Sequence, residues 1–105
     1  GAAAAAGTAR DKAEARKSTA ECDEYNDRRA EAKKAKATAY NRWLSAGTAV
    51  ALAEYEECNE RYVAARAEYG KKISAHKRLL RKHALAKRMR ARYSRAFKDA
   101  ATTAR

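Results

Sequence analysis

The chain has 105 residues, and alanine supplies 29 of its 48 hydrophobic residues, whereas Leu, Ile, Val and Phe together number only nine. So few large apolar residues argue against a globular domain with a self-sufficient core. The formal net charge of +12 indicates acidic or polyanionic partners.

The net charge lies at one end of the chain. Residues 1–70 contain 12 basic and 12 acidic side chains, whereas residues 71–105 contain 13 basic side chains and a single acid, Asp99. Such an asymmetry is typical of a neutral scaffold with a cationic interaction segment. The predicted segments are an Ala-rich N-terminus (1–7), a charge-neutral helical hairpin (8–70), a strongly basic helix (71–98) and a tail (99–105).

The first predicted element is a helix that begins near Thr8 and runs to about Ala46. Alanine is the strongest helix former, Thr8 is the predicted N-cap, and the preceding GAAAAAG is expected to be disordered or frayed. Glycine in the left-handed conformation closes many helices. The sequence SAGT at 45–48 therefore predicts a turn in which Gly47 ends the first helix and Thr48 caps the second.

The second predicted helix runs from the turn to about Lys98, with Gly70 as an interior weak point, and the tail after it is expected to fray. The sequence thus predicts an all-α, elongated antiparallel helical hairpin with coiled-coil-like packing. It has two long helices, or three if Gly70 breaks the second. Ion pairs at the favourable i,i+4 spacing are expected on the helix surfaces. They are Glu24–Arg28, Glu57–Arg61 and Glu68–Lys72.

A reversal at Gly47 places residue n near residue 94−n. In that register opposite charges meet twice, which supports an antiparallel pair. The expected neighbours are Lys33, Lys34 and Lys36 with Glu54, Glu56, Glu57 and Glu60; Glu21, Asp23 and Glu24 with Lys71 and Lys72; and Tyr25 with Tyr69.

A seven-residue repeat in the second helix is typical of a helix–helix packing seam. It comprises Tyr55, Tyr62, Tyr69, His76, His83, Arg90 and Phe97, with companions three residues along at Cys58, Ala65, Lys72, Leu79, Ala86 and Tyr93. Its Lys and Arg members weaken such a seam, and a seven-residue period requires a left-handed supercoil. The side chains expected to pack between the helices are Tyr25, Tyr40, Trp43, Leu52, Tyr55, Tyr62, Tyr69, Leu79, Met89, Tyr93 and Phe97.

The cysteines and histidines do not indicate a site. In the hairpin, Cys22 and Cys58 are offset by 14 residues, about 21 Å along the helix axis. A disulfide tolerates a Cα separation of only ~7 Å, so reduced cysteines are expected unless the turn lies near Tyr40–Asn41. His76 and His83 are about 10.5 Å apart, too far to share a zinc ion. Because catalytic and phosphate-loop motifs are also missing from the sequence, we expect no metal, cofactor, small-molecule substrate or enzymatic activity.

Residues 76–98 carry apolar and basic side chains on neighbouring helix faces, at roughly 100° per residue. Leu79, Leu85, Ala86, Met89, Tyr93, Ala96 and Phe97 form the apolar side, which Arg78, Lys82 and Arg90 interrupt. Like charges four residues apart repel each other, so an anionic counter-surface is expected. The predicted polyanion-binding residues are Lys71, Lys72, Lys77, Arg78, Arg81, Lys82, Lys87, Arg88, Arg90, Arg92 and Arg95.

Three partners fit this charge: RNA, an anionic membrane surface and an acidic protein. Arginine binds phosphate bidentately and stacks on bases, and residues 88–95 contain four Arg and no Lys, which favours RNA. We expect a non-enzymatic structural subunit of a larger multi-subunit assembly, such as an organellar ribosome. The alternative is an accessory subunit of a membrane-associated complex, whose basic helix contacts acidic subunits or lipid headgroups.

The sequence predicts no transmembrane segment. The longest uncharged run, Trp43–Ala53, has 11 residues and as a helix would cross only about half a bilayer. Residues 1–20 lack the apolar segment of a secretory signal. The chain begins with Gly rather than Met, which fits either removal of a presequence or a residue added for expression. An intracellular setting is expected, with an organelle such as a mitochondrion or plastid as one candidate.

Overall fold

The computed structural model describes the backbone of residues 2–103 and the side chains of residues 8–101. It consists of two helices, α1 (Ala2–Ala46) and α2 (Ala49–Thr103), packed antiparallel. The chain measures 86 × 17 × 13 Å, and its radius of gyration is 24.1 Å, compared with about 13 Å for a compact domain of similar length. The predicted elongated, all-α hairpin is therefore confirmed. It has two helices rather than three, because α2 continues through Gly70.

The turn has the predicted chemistry. Gly47 adopts the left-handed conformation, with φ at +62°, and its amide N–H donates to the carbonyl of Trp43 at 2.8 Å, which closes α1. The hydroxyl oxygen of Thr48 accepts a hydrogen bond from the amide of Ala51 at 3.2 Å. Thr48 is therefore the N-cap of α2, and the hydrogen bonds of this reversal join residues no more than four positions apart.

The start of α1 differs from the prediction. The helix begins at Ala2 rather than near Thr8, because the intervening alanines favour helix more strongly than the threonine favours a cap. The expected fraying of residues 1–7 and 99–105 stays a prediction. Gly1, Ala104 and Arg105 lie outside the described residues.

Replacing glycine by alanine should have opposite effects on stability at Gly47 and at Gly70. A Cβ at either position meets no atom within 4 Å, so only the backbone conformation differs. Gly70→Ala should stabilise the protein by about 0.4–1 kcal/mol, since Gly70 is in a helix interior. Gly47→Ala should destabilise it by about 1–2 kcal/mol because of the positive φ. Chemical unfolding followed by circular dichroism would measure both, and equal effects at the two sites would contradict the assigned turn.

Two of the three expected surface ion pairs form within the helices. Arg28 Nη2 lies 2.6 Å from Glu24 Oε1, and Arg61 Nη2 lies 2.5 Å from Glu57 Oε1. The hydrogen bond to Glu24 and the charge of its carboxylate raise the pKa of Arg28 above its ordinary value. The third pair is different: Glu68 contacts Lys71 at 3.9 Å, because Lys72 turns toward α1.

The hairpin has almost no buried core. Among the residues with described side chains, only Cys22, Ala39 and Ala51 are buried. The accessible surface is 8462 Å², compared with about 5800 Å² for a compact protein of 11.6 kDa. Stability must therefore come from one line of half-buried side chains between the helices.

That line follows the predicted seven-residue repeat. In α2 every seventh residue from Tyr55 to Arg90 is half-buried, and so are the companion positions from Cys58 to Ala86. The same spacing occurs in α1, where it was not predicted from the sequence. The α1 positions, all half-buried or buried, are Asp11, Ser18, Tyr25, Ala32 and Ala39, with Ala15, Cys22, Arg29, Lys36 and Trp43. The packing seam, as we call these positions of both helices, extends well past residue 70, the expected end of the hairpin.

The packing seam ends before the last members of the repeat. Met89, Tyr93 and Phe97 were expected to pack between the helices, but they are exposed. In the predicted register Ala2, the first residue of α1, lies opposite Arg92. The first turns of α1 are alanine and glycine, so they offer no large side chain for these three residues to pack against.

Candidate polyanion-binding face

An aromatic cluster holds the helices together near the turn. The rings of Trp43 and Tyr55 stack with their centroids 5.9 Å apart and their planes at 13°. Tyr40 contacts both, at 5.4 Å from Tyr55 and 6.1 Å from Trp43. Leu52 is half-buried beside the start of α2. Trp43 and Tyr55 therefore form the turn end of the packing seam, and Leu52 and Tyr40, which is 42% exposed, lie beside it.

Farther along the packing seam, cations lie over tyrosine rings of the opposite helix. Lys36 Nζ is 5.0 Å from the ring centre of Tyr62, and the guanidinium of Arg29 is 5.3 Å from that of Tyr69. The rings of the central tyrosines thus face charged groups rather than one another. Each such cation–π contact contributes about 0.5–1 kcal/mol at a partly exposed site, which offsets the expected weakness of a seam that contains Lys and Arg.

Tyr25 and Tyr69, predicted to be neighbours, make their ring contacts with cations rather than with each other. Lys72 Nζ lies 4.8 Å from the Tyr25 ring centre, and Arg28 covers the same ring at 4.5 Å. Lys72 also contacts Glu21 at 3.6 Å, as expected from the register. Tyr25 is therefore enclosed by two cations, and Tyr69 meets Arg29 instead.

The second predicted set of opposed charges does not form. Within the described residues, none of Lys33, Lys34 and Lys36 makes an ion pair with the acids of α2 between residues 54 and 60. Lys33 and Lys34 are exposed, away from the packing seam, while Lys36 lies over Tyr62. Arg42 meets Glu54 instead, at 3.3 Å. The acidic side chains Asp23 and Glu24 are likewise exposed rather than paired with Lys71 or Lys72.

Polar side chains make the contacts between α1 and α2 in the part of the packing seam toward the start of α1. Ser18 Oγ and His76 Nδ1 share a hydrogen bond of 2.8 Å. His83 Nε2 lies 3.3 Å from Glu14, and Arg90 Nη2 lies 3.3 Å from Asp11. These contacts were not predicted from the sequence, although the same 94−n register brings Ser18 to His76 and Asp11 to His83. Glu14 and Asp11 of α1 thus contact His83 and Arg90 of α2, and Leu79 is half-buried among these contacts.

The cysteines are both free. Cys22 is buried, and its thiol donates to the carbonyl oxygen of Lys72 at 3.5 Å, while Cys58 is half-buried. The turn lies at Gly47 rather than near Tyr40–Asn41, so the 14-residue offset that separates the two cysteines remains. Within the described residues no group of three or more His, Cys, Asp or Glu side chains is arranged to hold a metal ion.

The predicted polyanion-binding residues divide into two groups. Three of them form ion pairs within the chain: Lys71 with Glu68, Lys72 with Glu21, and Arg90 with Asp11. The other eight are exposed and form no ion pair with any described residue of the chain. These eight unpaired cations are Lys77, Arg78, Arg81, Lys82, Lys87, Arg88, Arg92 and Arg95.

Five of the eight gather on one side of α2. At roughly 100° per residue they fall within about 60° of arc, on the side of α2 opposite the packing seam. They span 19 residues, or about 27 Å of helix. This basic face, as we call it, consists of Lys77, Arg81, Arg88, Arg92 and Arg95.

A row of apolar side chains runs obliquely around α2, from beside the basic face to the side of the packing seam, where Phe97 continues the seven-residue repeat. Its four members are spaced by four residues, so they fall within about 120° of arc. They are exposed by 53%, 61%, 74% and 67% along the chain. This apolar stripe consists of Leu85, Met89, Tyr93 and Phe97. Elsewhere in the described chain, exposed large apolar residues occur singly or beside the turn, as with Val63 and Leu44.

Neither helix, within the described residues, contains a stretch apolar and long enough to span a lipid bilayer. In comparisons with protein-family models, curated proteins and solved structures, no match to this chain was found. The fold therefore defines the protein only as an elongated two-helix hairpin with one cationic end.

Proposed function

We propose that this protein is a non-enzymatic structural subunit of a larger assembly, which docks through the basic face of α2 onto the phosphates of RNA. The observation that carries the proposal is that eight exposed cations between residues 77 and 95 have no ion pair with described residues of the chain. A ribonucleoprotein such as an organellar ribosome is the kind of assembly that would supply the missing anions.

Electrostatics supports a counter-surface for the basic face. Like charges at i,i+4 cost a few tenths of a kcal/mol each, and their separation of about 6 Å along the axis is shorter than the Debye length of about 8 Å at physiological salt. Salt therefore screens these repulsions only in part. Phosphates placed along the basic face convert the repulsion into attraction and release condensed counterions.

The residue types favour phosphate over carboxylate as the anion. Arg81, Arg88, Arg92 and Arg95 make up all of the basic face except Lys77, and arginine presents a planar fork that binds phosphate bidentately. Because these side chains are exposed and point away from α1, the hairpin can approach an RNA surface without rearrangement. The neutral part of the hairpin then remains available to other subunits.

Filter binding of the full chain to a structured RNA across a salt series tests the proposal. If the five residues of the basic face engage phosphates, the logarithm of the association constant should fall with the logarithm of salt concentration at a slope of about −3.5 to −4.5. The same series with anionic phosphatidylserine vesicles serves as the comparison. Vesicle binding without RNA binding at low salt would contradict the proposal.

The apolar stripe supports a second candidate. Basic helices with exposed Leu, Met, Tyr and Phe on one side bind in the headgroup region of anionic membranes. An accessory subunit of a membrane-associated complex would use the same cations for lipid headgroups or acidic subunits. Binding to phosphatidylserine vesicles that survives high salt, through burial of the stripe, would favour this alternative.

A further inference from the structure

We infer that a second copy of this chain docks antiparallel on the outer side of α2, along residues 56–81, so that the RNA-free protein forms a symmetric dimer. This interface goes beyond the proposed function and does not depend on it. The observation behind it is a second seven-residue repeat in α2, on the side of the helix that faces away from α1.

The second repeat has steps of four and three residues in alternation, the spacing at which one long helix packs against another. All of its members are exposed. At roughly 100° per residue they fall within about 100° of arc, on the side of α2 opposite the packing seam. This outer repeat consists of Glu56, Glu60, Val63, Ala67, Gly70, Ser74, Lys77 and Arg81.

The charge of the outer repeat changes sign about its midpoint. Two acids, Glu56 and Glu60, come first, four uncharged residues follow, and two bases, Lys77 and Arg81, come last. None of these four charged side chains forms an ion pair with a described residue. Glu60 and Lys77 are about 25 Å apart along the helix axis, so the two ends cannot neutralise each other. Their counter-charges must come from outside the chain.

A second copy placed antiparallel supplies those counter-charges in one register. When residue n of one chain faces residue 137−n of the other, both acids meet bases and the small residues meet at the centre. A two-fold axis makes every contact occur twice, which gives four ion pairs. The facing pairs are Glu56–Arg81, Glu60–Lys77, Val63–Ser74 and Ala67–Gly70.

The centre of the outer repeat allows the two helices to approach closely. Helix separation depends on the side chains at the contact, and Gly70 has none while Ala67 has a single methyl group. The hairpin itself gives no steric reason for a glycine here, because a Cβ on Gly70 meets no atom within 4 Å. Since one helix face buries little area, the dimer should be weak, in the class of interfaces below about 1,200 Å².

The antiparallel arrangement also keeps the cationic ends of the two chains apart. The Arg88 residues of the two copies would lie about 58 Å from each other along the axis, far beyond the Debye length of about 8 Å at physiological salt. Their repulsion is therefore screened. Lys77 and Arg81 belong both to the outer repeat and to the basic face. A chain with RNA along its whole basic face cannot pair in this way, so the dimer is the form of the free protein.

Sedimentation equilibrium of the full chain at low salt, without RNA, tests the inference. The mass should approach twice the 11.6 kDa of one chain as concentration rises. E56K/E60K and K77E/R81E each turn four attractions into repulsions, so each should lower the association constant on the order of 100-fold. The combined variant E56K/E60K/K77E/R81E restores every pair with its charges exchanged and should associate like the unmodified chain.

A matched control separates the register from total charge. D23K/D27K makes the same change of charge as E56K/E60K at two exposed acids of α1 that form no ion pair with described residues, and it should still dimerise. Equal loss of association in this control would show that net charge governs self-association and would overturn the inference.

Two further outcomes would also overturn it. One is an unmodified chain that stays monomeric at low salt, and the other is a combined variant that stays monomeric with its helicity intact. Circular dichroism should show unchanged folding in every variant, because the altered side chains are exposed. None of these measurements contains RNA, so failure of the dimer would leave RNA docking standing, and absence of RNA binding in the filter assay would leave the dimer standing.

Discussion

Replacing Arg81, Arg88, Arg92 and Arg95 together by Gln should reduce RNA affinity by about three orders of magnitude at 0.1 M salt and leave helicity unchanged. Each phosphate contact contributes about 0.7–0.9 to the salt slope, so four lost contacts should make the slope shallower by about 2.8–3.6. The hairpin should not depend on these residues, since none contacts another described residue through an ion pair. Filter binding gives the affinity and slope, and circular dichroism gives the helicity.

A matched control separates the basic face from total charge. Lys12, Lys17, Lys33 and Lys34 are also exposed, lie on α1 and form no ion pair with described residues. Their replacement by Gln lowers the net charge by the same amount at a different place. This control should retain the slope of the unmodified chain. If it loses as much affinity as the arginine variant, RNA binding reflects overall charge rather than a defined face.

The turn could be predicted because its determinants are local. The left-handed conformation at Gly47 and the cap at Thr48 depend on residues within one helical turn. The sequence left open whether Gly70 breaks the second helix. Its continuity follows from the small cost of one glycine in a helix of 55 residues. The fold class required no further information.

The individual contacts could be predicted only in part, because the position of a residue along the hairpin and the direction of its side chain around the helix axis are independent. The pairing of residue n with residue 94−n gives the position of each residue along the hairpin axis. Ser18 and His76 lie opposite each other, as this pairing predicts. Whether side chains at one level meet also depends on their rotation about each helix axis. Lys33 and Lys34 lie at the level of acids in α2 but face solvent.

The prediction for Tyr93 and Phe97 failed because the sequence of one helix does not show which of its residues the other helix covers. The seven-residue repeat of α2 is continuous through Phe97, so periodicity assigned Tyr93 and Phe97 to the packing seam. The repeat is a property of α2 only. Packing also requires large side chains on α1, and toward the start of α1 the sequence contains only alanine and glycine. The same fact explains why Tyr93 and Phe97 are exposed rather than packed.

Tyr55→Ala should destabilise the hairpin by about 3 kcal/mol. The substitution removes two ring contacts, to Tyr40 and Trp43, each worth about 0.5–1.5 kcal/mol beyond burial, together with the burial of half an aromatic side chain. In a chain of this size the loss corresponds to a decrease in melting temperature of roughly 15 °C. Urea unfolding measures the free energy, and the emission of Trp43, the sole tryptophan, should shift to the red as its stacked neighbour is removed.

Two controls test whether the ring itself is responsible. Tyr55→Phe keeps both ring contacts, and the hydroxyl that it removes has no hydrogen bond to a described residue. The stability of the Tyr55→Phe protein should therefore stay within about 0.5 kcal/mol of that of the unmodified protein. Tyr93→Ala removes an equally large ring that is exposed and should change stability as little. Because so little of the chain is buried, the aromatic cluster at the turn should carry an unusually large share of the folding free energy. A Tyr55→Ala protein as stable as the Tyr93→Ala protein would show instead that the cation–π contacts and polar pairs farther along the packing seam hold the helices together.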